Sequence, residues 1–431
     1  MRIVHLAAGA GGMYCGACAR DIGLARGLIA RGHQVEIVPL YTPLRFDGGE
    51  PLPTAPVMLG GVNAYLEQSL APWRYAPAAI RRLLDHPRVL DLVSRFAVST
   101  RASDLGPMIV SVLRGVDGRQ RRSVIEVARY VEDILRADPS SPPLVSITNS
   151  LLTGVAPELR RRLGTPIACG LQGEDAFVEA TPEPHRSRAI DLMRRNARSV
   201  DVFISPSRSY AETMAAFLDV PRHKVRVAHV GVDPAPYRMP ARSRPYPFTV
   251  AYLSVITAAK GVDLLVEAVI SLLDAGRDLE LAIAGKVLDR GYWERVVHML
   301  EATSHADRVR YVGEVDFAGK LHLFRGCSVL CVPSRIAESR GVVAIEAQAS
   351  GVPVVVPDSG VFPEMIARTS GGVTYRQGDP KELAGALGRL MDDPEGRAAM
   401  ARAGSGAAAC HYSADRMVDE TLEAFRSVVG P

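Results

Sequence analysis

Residues Pro333–Gly360 read PSRIAESRGVVAIEAQASGVPVVVPDSG. The apolar run VLCVPS leads into this stretch, a turn containing Gly341 follows, and the spacing predicts a short helix from about Val342 to Ser350. Gly351 stands where a helix stops, and VPVVVP has the continuous apolar character of a strand buried on both faces. Strand, turn, helix and strand form the repeating unit of a parallel α/β sheet. Glu338 lies just before the helix, and Glu346 lies inside it. A helix that starts after a glycine turn presents free N–H groups and the positive end of its dipole, which suits a phosphate. Carboxylates on either side of that phosphate can hold hydroxyls, and a sugar nucleotide has this layout of sugar, diphosphate and ribose. Taken singly, each acid has a plainer reading as a cap or a solvated helix residue. Two acids framing a glycine turn favour a ligand, and spacing alone leaves its identity open.

The rest of the chain extends the same pattern. With 431 residues it exceeds what one core usually supports, so two domains are expected. Hydrophobic residues make up 47% and aromatics only 6%, which indicates aliphatic cores of the kind buried parallel strands prefer. A net charge of +4 is too mild to argue for a nucleic-acid partner, but it is compatible with an anionic substrate or a weak contact with a membrane surface. The opening MRIVHLAAGAGG reads as a strand running into a glycine loop, without the long apolar core and cleavage site of a signal peptide. No run approaches the length that spans a bilayer. A cytoplasmic protein is expected, with contact at the inner face of the membrane left open. Six cysteines in so long a chain do not make a disulfide framework. Cys15 and Cys18 form a CxxC with no second metal-binding half, and small residues packing near a ligand are the preferred reading.

Alternation divides the chain. Strands are expected at Arg2–Ala7, Val35–Leu40, Leu144–Thr148, Pro166–Leu171, Val202–Ser205 and Val225–Val230, with helices at Ala19–Arg31, Ser123–Arg136, Thr153–Leu163, Arg186–Asn196 and Ser209–Phe217. Residues 41–122 interrupt this rhythm with Pro-rich and basic helical material and read as an insertion. Residues 231–247, with five prolines, are the clearest linker. Alternation then restarts with strands at Phe248–Leu253, Leu279–Ala284, Val309–Val312, Val329–Val332 and Val352–Val356. Helices fit at Lys260–Asp274, Gly291–Ala302, Gly319–Phe324 and Lys381–Asp392. The expected division is residues 1–234, a Pro-rich linker at 235–247, a second domain at 248–410, and a C-terminal helix at 411–431 that packs back on the first domain. In such sheets ligands bind beyond the carboxyl ends of the strands.

With these residues in place, the chain resembles glycosyltransferase family 4, retaining enzymes of the GT-B fold. GEVDFAGKLHLFRGCSVLCVPS resembles the family's base-binding loop, helix and strand, and Glu338 and Glu346 match its EX7E pattern. HVGVD at His229–Asp233 resembles the interdomain motif, VFISPSRSY at Val202–Tyr210 the last strand and turn of the first domain, and AAKGVDLLVEA at Ala258–Ala268 the stretch whose lysine binds diphosphate. The resemblance implies two facing Rossmann-like domains with a cleft between them that closes on the donor. It implies transfer of a sugar, a hexose above all, from a nucleoside diphosphate of uridine or guanosine to an acceptor hydroxyl, with neither metal nor organic cofactor.

Carried over by position, Glu346 would hold the ribose and Glu338 would sit at the reacting face of the sugar. Lys260 would neutralise the diphosphate, and Val315 would sit by the base. Gly341 and Val342 would offer the helix N-terminus. Gly11 and Gly12 would let backbone N–H groups approach the same phosphates, since no Cβ is in the way. Two positions depart from the family. Val255 stands where an Arg is usual, and Gln172 stands at the active-site histidine, where it can hydrogen-bond but cannot titrate. Arg340 is a candidate for the missing charge, with a solvated arginine as the equal alternative. Glu174 and Asp175 are candidates on the acceptor side. A catalytically silent sugar-nucleotide-binding relative and a GT-B epimerase remain as alternatives. A nicotinamide dehydrogenase is disfavoured, because no acid ends the second strand.

Overall fold

The computed structural model describes residues 1–9, 16–44, 52–58, 102–238 and 247–429, together with positions 63 and 66. Gly11, Gly12, Cys15, much of the 41–122 insertion and residues 239–246 of the linker lie outside the described residues. Contacts divide the chain into a unit of residues 1–229 with 417–431, and a second unit, Val230–Arg416.

The first unit is built on a six-stranded parallel sheet of β1 (Arg2–Ala7), β2 (Gln34–Pro39), β3 (Pro143–Ile147), β4 (Ile167–Gly170), β5 (Val202–Ser205) and β6 (Val225–Val227), in the order β2-β1-β3-β4-β5-β6. These are short, nearly all-apolar runs, and Val4, Leu6, Val145, Ile167 and Phe203 are fully buried, as strands covered on both faces require. Helices α1 (Gly16–Ala30), α2 (Ala102–Leu113), α3 (Arg121–Arg136), α4 (Ala156–Leu163), α5 (Glu174–Glu179), α6 (His185–Ala197) and α7 (Arg208–Phe217) connect the strands. The helix expected over Thr153–Leu163 opens as a 3-10 turn, Ser150–Val155, capped by Asn149, and becomes α-helical only at Ala156, ahead of Pro157. The strand expected over Val225–Val230 stops at Val227, because the His229 amide and ring turn to Glu420.

The second unit repeats the plan with β7 (Phe248–Leu253), β8 (Leu279–Ala284), β9 (Val309–Gly313), β10 (Val329–Cys331), β11 (Val354–Pro357) and β12 (Gly372–Tyr375), in the order β12-β11-β10-β7-β8-β9. The chain runs outward from β7 through β8 to β9, then returns to the other side of β7 with β10. The strand order therefore reverses between β7 and β10, the place where open α/β sheets take ligands. Helices α8 (Val262–Asp274), α9 (Arg290–Glu301), α10 (Phe317–Gly326), α11 (Val342–Ala349), α12 (Phe362–Thr369), α13 (Pro380–Asp392) and α14 (Pro394–His411) complete it.

The chain ends in α15 (Ala414–Val429). Its Met417, Val418, Leu422 and Phe425 join Ile3, Leu24, Leu28 and Val35 in one core cluster of the first unit. A Cβ on Gly27 of α1 would lie 2.4 Å from Val418, so the two helices meet closely at that glycine.

Candidate functional site

The loop after β7 carries Lys260 in a single 3-10 turn, Ala258–Lys260. Gly261 follows with φ +67°, and a Cβ there would fall 2.0 Å from the carbonyl oxygen of Pro333. The loops after β7 and β10 are therefore in direct backbone contact across the point of strand reversal. Arg335 fastens them. Its amide donates to the Ala259 carbonyl (2.9 Å), and its guanidinium reaches the Ala258 carbonyl (3.0 Å). The same guanidinium makes a two-pronged pair with Asp263 at 2.6 and 2.7 Å. Tyr292 donates to Asp263 at 2.6 Å. Burial pushes the Asp263 carboxyl up, but Arg335 and Tyr292 outweigh it and hold the group below the ordinary value. This clamp delivers the Lys260 ammonium to Glu338, where the two form a close ion pair, and Ser334 Oγ donates to the same Glu338 oxygen at 2.9 Å. The Glu338 carbonyl accepts from the Val361 amide at 2.8 Å, which fixes the loop on its other side.

Gly341 caps α11 with φ +61°, and a Cβ at that position would lie 2.7 Å from the Met365 side chain. Only glycine fits on both counts. No side chain caps this helix, and the Val342 and Val343 amides find no acceptor among the described residues. Arg340, immediately before the glycine, is partly buried.

One turn further on, Glu346 is only 8% exposed. Its Oε1 accepts from the Tyr237 hydroxyl (2.6 Å) and from Lys320 Nζ (2.6 Å), and Lys320 also donates to the Tyr237 hydroxyl at 3.2 Å. The Lys320 ammonium stands 5.0 Å from the centre of the Phe317 ring and 5.5 Å from that of Tyr237, within cation–π reach of both. Phe317 itself is 46% exposed. Val315, two residues before it, is half-buried on the apolar cluster that includes Phe324 and Ile345.

The site in the second unit thus brings together Lys260, Glu338, Arg340, Gly341, Val342 and Glu346, with Val315 at the approach to α10. Sequence reasoning missed Lys320, Tyr237 and Ser334. Lys320 lies inside the quoted stretch GEVDFAGKLHLF, where a lysine on a helix passes for a solvated one. Tyr237 falls just after HVGVD, where proline density suggests irregular chain.

In the first unit, Gln172 follows β4, and its Nε2 donates to both the carbonyl (2.8 Å) and the hydroxyl (2.9 Å) of Thr148. Thr148 in turn donates to Asp21 at 2.5 Å. Burial pushes the Asp21 carboxyl up, but His5, Arg20 and Thr148 more than offset it and keep the group charged. Because the Thr148 carbonyl only accepts, the Gln172 amide nitrogen is turned inward. Any further partner of that side chain therefore meets its oxygen. Glu174 is buried, and its two oxygens take the Ser150 amide (2.8 Å) and the Gln172 amide (2.6 Å). Asp175 accepts from Tyr210 at 2.6 Å. The geometry uses Glu174 as an anchor for the loop that carries Gln172.

Residues 22–231 match the family model described as "Glycosyl transferase 4-like domain". Residues 238–406 match the one described as "Glycosyl transferases group 1". The chain belongs to the GT-B glycosyltransferases of the family 4 type. This glycosyltransferase is 27% identical over 400 residues to a D-inositol 3-phosphate glycosyltransferase of Stackebrandtia nassauensis, covering 86% of this chain and 87% of that one. It is 31% identical over 161 residues to a GDP-mannose-dependent monoacylated alpha-(1-6)-phosphatidylinositol monomannoside mannosyltransferase of Corynebacterium glutamicum, a match that takes in 36% of this chain and spans 41% of that protein. Among solved structures, Anabaena HepE in complex with UDP aligns with a TM-score of 0.66 at 16% identity, over 99% of this chain and all 100% of that one. A sucrose-phosphate synthase from Thermosynechococcus elongatus aligns with a TM-score of 0.69 at 16% identity, over 99% and 98%. At these identities the structural likeness establishes the two-sheet fold. Among the described residues no helix is long and apolar enough to cross a membrane.

Proposed function

We propose that this glycosyltransferase moves a hexosyl group from a nucleoside diphosphate sugar to an acceptor hydroxyl, with retention and without a metal ion. The observation that carries this reading is the convergence of Lys260, Glu338 and the uncapped start of α11 at the reversal point of the sheet, with buried Glu346 on the same helix. Breaking the anomeric C–O bond builds negative charge on the departing diphosphate and positive charge on the sugar ring. Lys260 and the first amides of α11 meet the former, and Glu338 stabilises the latter. The Lys260–Glu338 pair holds both groups in place before the donor arrives. On binding, the diphosphate offers Lys260 a second anionic partner and Glu338 turns to the sugar hydroxyls. Glu346, with one oxygen held by Lys320 and Tyr237, presents the other to the ribose. Exposed Phe317 and half-buried Val315 give the base an apolar bed.

A silent, donor-binding relative is the competing reading, and it rests on Val255 and Gln172. Against it stands the retained Lys260–Glu338 pair at the start of α11. The names of the two relatives both carry a phosphorylated inositol, which makes an inositol-bearing acceptor the class to test first. The test is release of nucleoside diphosphate from GDP-mannose, UDP-glucose and UDP-N-acetylglucosamine in the presence of inositol phosphates and phosphatidylinositol. Glu338→Ala should lower turnover about 10²–10³-fold while changing donor Kd far less. Donor binding with no turnover on any of these pairs would favour the silent reading.

A further inference from the structure

Helices α2, α3 and α6 of the first unit surround a cavity of about 850 Å³ that shares no residue with the site above. Arg114, Arg119, Arg121, Arg129 and Arg188 line it together with His185. Arg122 also faces it, paired with Glu126 at 3.0 Å, and Asp117 is the other acid on the wall. Among the described residues, six arginines and two acids line the cavity, an excess of four positive charges. The side chains of Arg114, Arg121, Arg129 and Arg188 make no hydrogen bond or ion pair among the described residues. His185 Nδ1 is buried behind the wall with no hydrogen-bond partner among the described residues.

Arginines on a helix surface are ordinarily solvated one by one, and such residues carry no function. These are exposed as well, but they converge from α3, α6 and the turn joining α2 to α3 on one concavity, where like charges raise a positive potential that an anion relieves. The lining cations are arginines and not lysines, and the planar guanidinium fork matches a phosphate in two-pronged geometry. The volume lies in the range of small-molecule sites and exceeds the needs of a bare phosphate, and Pro107, Val110 and Ile125 supply apolar wall for an attached body. We infer that this cavity binds a phosphate ester, either as a free molecule or as the headgroup of a lipid. The inference does not rest on the donor reading.

The test uses the full chain without donor. D-myo-inositol 3-phosphate is titrated by calorimetry, and binding to vesicles of 20 mol% phosphatidylinositol in phosphatidylcholine is followed by flotation against pure phosphatidylcholine. Arg121→Gln and Arg188→Gln should each weaken binding about tenfold, the effect of losing one charge-assisted hydrogen bond. Arg195→Gln, which removes an equal charge from an exposed position on α6 outside the cavity, should leave binding within about twofold of wild type. Glu346→Ala should bind as wild type, which separates this site from the donor site. Saturable binding of the soluble ester identifies a free phosphate ester. Binding confined to the phosphatidylinositol vesicles identifies a lipid headgroup. Binding of neither overturns the inference, and so does an equal loss in Arg195→Gln.

Discussion

Glu346 is a buried carboxylate flanked in sequence by the buried Ala344, Ile345, Ala347 and Ala349, a setting that packing alone does not explain. A buried charge persists only when it is paired and hydrogen-bonded, and Lys320 with Tyr237 does both for the same oxygen. Lys320→Met should therefore destabilise the protein by about 3 kcal/mol in urea melts, because it leaves Glu346 uncompensated. The double variant Lys320→Met/Glu346→Gln should recover most of that loss. If the single variant is as stable as wild type, the pair does not hold Glu346 in place. Tyr237→Phe keeps the ring and removes one bond to the carboxylate, so donor Kd should rise about tenfold with little change in melting temperature. At this scale the sequence made Lys260, Glu338 and Glu346 legible because they sit at fixed offsets around glycines. Lys320 and Tyr237 were illegible because their partner lies 26 and 109 residues away in sequence, and only the fold brings the three together.

At the scale of elements, the helix and the loops around the reversal point depend on backbone that tolerates no side chain. Gly341→Ala would put a Cβ 2.7 Å from Met365 at φ +61°. It should lower stability by about 1–2 kcal/mol and weaken donor binding by shifting the start of α11. Unchanged donor affinity would mean that the helix start is not used. The clamp between the loops has a pH signature. Asp263 has a carboxyl pKa below its unfolded value of 3.8, so its contribution to stability is present above that value and is lost as pH falls through the lower folded value. The stability difference between wild type and Asp263→Asn should therefore be largest near neutrality and shrink below pH 3.8, as read from urea melts at several pH values. A difference constant across that window would rule the clamp out.

Strands such as Arg2–Ala7, Val202–Ser205, Phe248–Leu253 and Leu279–Ala284 were legible to the residue, because long apolar runs between breakers admit one reading. β12 (GVTY), α12 and α14 went unread. The strand is short and opens on glycine, and PEGRAAMARAGSGAAACH of α14 has small residues on every face, which blurs a helical stripe. Acids after β4 suggested an acceptor contact, whereas Glu174 is used to hold two backbone amides, a role no periodicity reveals.

At the scale of the whole molecule, the chain returns to its first unit at the end. Phe425 of α15 is fully buried in the cluster that contains Ile3 and Leu24. Phe425→Ala should cost about 3–5 kcal/mol, a large share of the stability of an ordinary domain. It should leave donor affinity of the folded protein unchanged, since Lys260, Glu338, Gly341 and Glu346 all belong to the second unit. Parallel loss of stability and of donor affinity would contradict that separation. The central claim is that Lys260, Glu338 and Glu346 form one nucleotide-sugar site at the start of α11. Calorimetric titration of GDP and UDP into wild type, Lys260→Ala and Glu346→Ala tests it most directly. The account predicts saturable wild-type binding of at least one nucleotide and a loss of tenfold or more in each variant, on the order of one charge-assisted hydrogen bond or greater. Equal binding by all three proteins, or none by any, would contradict it.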